Sequence, residues 1–114
     1  MYSTAKLNRR RKEILDQLAE LGPLRKGSLT EQYVETTLKD GSKRRRGPYT
    51  VYTFKENNRT VSKRLTQSSQ VQRYRSQIAA FRSFQELTRE LAQVSQALAD
   101  SEAMEEGGKK NSRR

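Results

Sequence analysis

Apolar residues recur along this chain with two different periods, and the changes of period divide it. From residue 4 to 21, Leu7, Ile14, Leu18 and Leu21 fall on one stripe at helical spacing, with Leu15 beside it and Arg11 interrupting it. The spacing predicts a helix that Ser3 or Thr4 can cap and that Gly22-Pro23 stops. Residues 28–38 switch to alternation, with Leu29, Glu31, Tyr33, Glu35 and Thr37 on one face and Thr30, Gln32, Val34, Thr36 and Leu38 on the other. Residues 49–55, YTVYTFK, are densest in β-forming side chains. Residues 60–65 run back as a third strand after Glu56-Asn57-Asn58-Arg59, where Asn tolerates the positive φ that a short hairpin needs. A three-stranded antiparallel meander is the simplest closure.

Spacings of three and four return at Val71, Tyr74, Ile78, Phe81, Phe84, Leu87, Leu91, Val94 and Leu98, which predicts a long amphipathic helix over 67–103, capped by Thr66 or Ser68. Such a helix is roughly 50 Å long, whereas strands of six or so residues cover about 20 Å. The half carrying Phe84, Leu87, Leu91, Val94 and Leu98 therefore overhangs the sheet and requires another apolar stripe. The helix at 4–21 and the same helix of a second protomer are the two candidates. The predicted fold is α+β. It comprises an N-terminal basic amphipathic helix (1–22), a three-stranded antiparallel sheet with an Arg-rich loop at 39–47 (23–66), a long C-terminal helix (67–103) and a disordered charged tail (104–114).

Composition narrows the chemistry. The chain has 114 residues, of which 32% are hydrophobic, enough for one small domain with a thin core. It has neither Cys nor His, so disulfides, thiolate zinc sites and His- or Cys-based catalytic dyads are excluded. No apolar run approaches the roughly 18 residues of a membrane span, and Arg9–Arg11 fall where a secretory signal would be apolar. The expectation is a soluble cytoplasmic protein that does not engage membranes.

The net charge of +11 is unevenly distributed. Residues 39–82 hold twelve basic groups against Asp40 and Glu56, whereas residues 83–106 hold Arg89 against six acids. A solubility surface would mix the signs; a concentrated positive field attracts polyanions and is screened by salt. The first turns of the N-terminal helix also carry Lys6, Arg9, Arg10, Arg11 and Lys12, the unfavourable sign for a helix N-terminus.

No arrangement suited to catalysis stands out. Glu31 and Glu35 share a strand face, but no motif supplies a third metal ligand, and no phosphate-cradling Gly pattern occurs. The expectation is a protein that is not an enzyme and takes no cofactor, metal or small-molecule substrate. The candidates for binding nucleic acid are Arg9, Arg10, Arg11, Lys43, Arg44, Arg45, Arg46, Arg59, Lys63, Arg64, Arg73 and Arg75, together with Tyr49 and Tyr52. Arg forks suit phosphates and guanine edges, and aromatics among cations suit stacking on single-stranded bases. Tyr49 and Tyr52 are equally compatible with packing on the final helix, whereas Phe54, Tyr74 and Phe81 are read as core. DNA is favoured over RNA. The alternative is an interaction subunit, with the long helix forming a homodimer or docking on a larger protein partner.

The order Leu21-Gly22-Pro23, Gly27-Ser28-Leu29 with Tyr33, Gly47-Pro48-Tyr49, and Thr60-Val61-Ser62 with the basic residues after it, continued through Val71, Tyr74 and the leucine-rich helix, resembles a family of small prokaryotic proteins of unknown function that are often encoded beside or fused to transposase genes. The likeness spans about residues 21–98. Many members carry a cysteine cluster before the Gly-Pro-Tyr element; here that stretch is Lys39-Asp40-Gly41-Ser42-Lys43-Arg44-Arg45-Arg46, so any metal role of those cysteines is absent. The resemblance implies a link to mobile elements and, more loosely, to nucleic acid; binding DNA would associate the protein with the nucleoid. The strand-strand-strand-helix order is also similar to arm-type DNA-binding domains of integrases, an analogy of fold alone.

Overall fold

The computed structural model describes the backbone from Ser3 to Ser112 and side chains as far as Glu105. The elements are α1 (Thr4–Glu20), β1 (Ser28–Thr37), β2 (Lys43–Glu56), β3 (Arg59–Leu65) and α2 (Ser68–Ser112). The strands form one antiparallel sheet in the order β1-β2-β3, so the α+β fold with its β-meander is as expected. Among the described residues no helix is long and apolar enough to cross a membrane.

The chain divides into two compact units. One, the helical unit, joins Met1–Gly22 to Arg82–Arg114 and so pairs α1 with the far part of α2. Its core is Leu7, Ile14 and Val94, with Leu18, Leu87, Leu91, Ala97 and Leu98 packed around them. The overhanging apolar stripe of α2 is thus covered by α1 of the same chain. Of the residues expected as a face for a partner, Val94 is buried in this core, Leu87, Leu91 and Leu98 pack half-buried against it, and Phe84 is half-buried on the same helix. Ser3 caps α1, its hydroxyl accepting the Lys6 N–H at 3.2 Å.

The other, the sheet unit, is Pro23–Phe81. Tyr52, Leu65 and Ile78 are buried, with Leu29, Phe54, Val71 and Tyr74 against them, so one sheet face packs on the first turns of α2. Tyr52 is 5% exposed. Its ring stacks on Phe54 and meets Tyr74 edge-on, both at 5.0 Å between centroids, and its hydroxyl donates to the Lys26 carbonyl. Gly27 is needed beside it. At φ +125° a Cβ would lie 2.6 Å from the Tyr52 ring and 2.7 Å from the Thr53 carbonyl oxygen. The β2–β3 turn places Asn57 at φ 52° and Asn58 at φ 64°, the left-handed pair that matches the strand twist.

Two expectations are corrected. Residues 39–47 are not a loop: β2 begins at Lys43, and Val34, Glu35, Thr36 and Thr37 pair with Arg46, Arg45, Arg44 and Lys43. Four consecutive cations hide the alternation that marks a strand, yet their backbones pair as well as any others once β1 supplies the ladder. The connection shrinks to a turn at Leu38–Ser42, closed by the Leu38 N–H on the Ser42 carbonyl at 2.7 Å. The second correction concerns the tail. α2 continues to Ser112 through the segment expected to be disordered, leaving 113–114 outside the described residues. Gly107 and Gly108 disfavour helix by only about 1 kcal/mol each, and no proline forbids it.

Candidate nucleic-acid interface

The unequal strand lengths create the main feature of the sheet unit. β3 pairs with β2 only over Thr50–Glu56, so the continuation of β1 and β2 toward their turn is a two-stranded arm. Every residue from Thr30 to Pro48 is exposed, including Tyr33, Val34 and Leu38 at 47%, 43% and 43%. An isolated two-stranded ribbon is marginal in water, and this one is held by continuity with the packed three-stranded base. At its foot Gly47-Pro48 on β2 opposes the single residue Tyr33 on β1, a bulge where the register shifts. Gly47 adopts φ +131°, and a Cβ there would lie 2.8 Å from the Gln32 carbonyl oxygen.

Pairing sorts the arm's side chains onto two faces. Tyr33, Glu35 and Thr37 share a face with Arg45 and Lys43; Val34 and Thr36 share the other with Arg46 and Arg44. On the first face the charges are engaged. The Arg45 guanidinium lies 3.8 Å over the Tyr33 ring, and Lys43 Nζ is 3.6 Å from the Glu35 carboxylate. On the second face Arg44 and Arg46 have neither an ion pair nor a ring contact among the described residues. At the turn, Ser42 donates from its hydroxyl and its backbone N–H to Asp40, which holds that carboxyl below the usual carboxylate range.

Following β1 back from the arm, Leu29 lies on the face packed against α2, and Thr30 and Gln32 lie on the opposite face with Val34 and Thr36. The face bearing Arg44 and Arg46 is thus the one turned away from α2 within this unit. It also carries Tyr49 and Arg64, whose guanidinium lies 3.9 Å over the Tyr49 ring. Where β3 ends, Tyr49, Arg64, Leu65, Val71 and Arg75 line an open groove of about 530 Å³.

The candidate residues therefore separate. Lys43, Arg44, Arg45, Arg46, Tyr49 and Arg64 are gathered on the arm and its base, with Arg75 across the groove and Arg73 exposed nearby in sequence on α2. Arg59 and Lys63 are exposed on β3, where Lys63 pairs with Tyr52 on the helix-side face. Tyr52 is a buried core residue, not a surface for stacking bases, because Gly27 lets Lys26 close over it. Arg9, Arg10 and Arg11 lie in the helical unit. Arg9 and Arg11 are exposed, but Arg10 is bound by Glu90 through two bonds of 2.5 and 2.6 Å and by Glu13 at 3.1 Å. These bonds raise the Arg10 pKa further and hold Glu90 below the ordinary carboxylate range.

Sequence reasoning left out Tyr33, Val34 and Thr36. Alternation assigned them to faces, but which face stays open depends on where α2 packs. It also left out Arg25, which lies 3.8 Å over the Tyr74 ring and donates to Gln77 Oε1 at 2.7 Å, securing the 23–27 segment to α2. Glu31 and Glu35, weighed as a carboxylate pair, are both exposed, and Glu35 is the partner of Lys43.

Residues 4–76 match the domain of unknown function DUF6788. The chain belongs to this family. The DUF6788 segment takes in α1, the whole sheet and the first turns of α2, so it begins earlier and ends earlier than the span of 21–98 read from short motifs. It includes the arm but not the far part of α2. No curated protein and no solved structure matches the chain.

Proposed function

We propose that this protein binds nucleic acid, with double-stranded DNA as the favoured ligand, through the β1–β2 arm and the sheet face that continues from it. The observation that carries this reading is a ribbon exposed from Thr30 to Pro48 that presents Arg44 and Arg46 with no ion pair or ring contact among the described residues. The sheet unit holds thirteen basic and four acidic residues, a net +9, so the local field favours a polyanion. Single strands are less suited. Base stacking needs open aromatic faces, whereas Tyr52 is buried and Tyr33 and Tyr49 each have an arginine over one face of the ring. Service to a mobile element is part of the same proposal and rests on the resemblance described above.

The test is a fluorescence-anisotropy titration of the full chain against random-sequence duplex DNA, single-stranded DNA and hairpin RNA at two salt concentrations. Contact with six to ten phosphates implies a loss of roughly 10³- to 10⁵-fold in affinity between 50 and 200 mM salt. Duplex binding with that dependence, weakened by Arg44→Ala/Arg45→Ala/Arg46→Ala, supports the proposal. Absence of binding at low salt, or binding indifferent to the triple substitution, overturns it.

A further inference from the structure

The two faces of the arm differ in a way that bears on how a duplex would be read. Lys43 and Arg45 are held by Glu35 and Tyr33, whereas Arg44 and Arg46 have no ion pair or ring contact among the described residues and have Thr36 and Val34 as cross-strand neighbours. By the alternation of β1, the second face is opposite the one that packs on α2 through Leu29; its arm residues are exposed, and Val51 at its base is buried. From these observations we infer that the arm enters the major groove of B-form DNA with Arg44, Arg46, Val34 and Thr36 toward the base edges, so that these four residues determine sequence preference while Lys43 and Arg45 do not.

Dimensions and chemistry agree. Two paired strands are about 4.8 Å apart and, with side chains, suit a groove about 12 Å wide but not the minor groove of about 6 Å. The major groove of A-form RNA is too deep and narrow for side chains to read. Five residues per strand, from Tyr33 to Thr37 and from Lys43 to Gly47, span about 17 Å, or roughly five steps of 3.4 Å along the duplex. Arg pairs with guanine O6 and N7, and the Val34 and Thr36 methyl groups suit the thymine methyl. The preferred site is thus a short core containing guanine and thymine. The bulge at Gly47-Pro48 marks the boundary between this face of the arm and the base of the sheet.

This inference rests on the nucleic-acid reading, and the experiment separates the two. Duplexes would be selected from a randomised 20-base-pair library with the full-length protein, and affinity for the selected and random pools compared for three proteins: the natural chain, Arg44→Ala/Arg46→Ala and Lys43→Ala/Arg45→Ala. Both variants remove two positive charges from exposed positions, so the change in net charge is the same, and circular dichroism checks that both remain folded. The natural chain is expected to prefer the selected pool by tenfold or more, Lys43→Ala/Arg45→Ala to retain that ratio, and Arg44→Ala/Arg46→Ala to reduce it to about one. Duplex binding without any enriched sequence, or equal loss of preference in both variants, overturns the inference and leaves the nucleic-acid reading standing. No duplex binding by the natural chain overturns both.

Discussion

The two units are of similar length and contain similar numbers of cations, but they use charge differently. The helical unit balances eleven basic with nine acidic residues, while the sheet unit sets thirteen against four. In the helical unit the best-placed cation, Arg10, is clamped by Glu90 and Glu13 beside a core centred on Ile14. In the sheet unit the arm extends past its own core, and Arg44 and Arg46 have no ion pair or ring contact among the described residues. Total charge would have suggested that both basic runs, Arg9–Arg11 and Lys43–Arg46, serve one ligand. In the first run Arg10 serves the fold while Arg9 and Arg11 are exposed; in the second, Lys43 and Arg45 meet Glu35 and Tyr33, and Arg44 and Arg46 have no such contact among the described residues.

The largest expected effect breaks the helical side of this contrast. Ile14 is fully buried, so Ile14→Ala should reduce stability by about 2–5 kcal/mol in urea unfolding. Val34→Ala on the exposed arm should change stability by no more than about 0.5 kcal/mol. Comparable losses from both would mean that the arm is packed and the distinction false.

Next comes the joint between arm and base. Gly47→Ala forces a side chain into φ +131° against the Gln32 carbonyl, a strain of about 1–3 kcal/mol. Hydrogen exchange should speed up at amides of the Val34–Arg46 region while amides of α1 keep their protection. Uniform acceleration throughout the chain would show that the arm and the helical core unfold together.

The smallest effect is the ion pair of the helical unit. Arg10 lowers the folded-state pKa of Glu90, so the unfolded chain binds the proton more readily. The stabilisation is present above the ordinary carboxylate value of about 4.3 and is lost as pH falls through the folded value. Glu90→Gln should therefore be slightly less stable than the natural protein at pH 7, with the difference closing toward pH 3 in thermal unfolding. A pH-independent difference would show that Glu90 acts by packing rather than by charge.

Much of the fold was legible because the signals are local. The Ser3 cap, Gly22-Pro23, the Asn57-Asn58 turn and the long stripe from Val71 to Leu98 each specify nearby backbone. The arm was not legible, since Lys43–Arg46 become strand only through pairing with Val34–Thr37, a contact invisible in their own composition. Tyr52 posed the same difficulty: its strand neighbours allowed either face, and Gly27 and Tyr74, remote in sequence, decided for burial. The stripe at Leu87–Leu98 clearly demanded a partner, but periodicity could not choose between α1 and a second protomer. At the candidate site, charge marked the basic run, while the division of its cations between two faces required the register.

The most direct test of the central claim is an amide chemical-shift titration of the isotopically labelled full chain with a 20-base-pair duplex at low salt. Binding through the arm predicts the largest shifts at Tyr33–Thr37, Lys43–Gly47, Tyr49 and Arg64, with α1 and the far part of α2 nearly unmoved. Shifts concentrated on Arg9–Arg11 or along Leu87–Leu98 would contradict the account and place the interface on the helical unit.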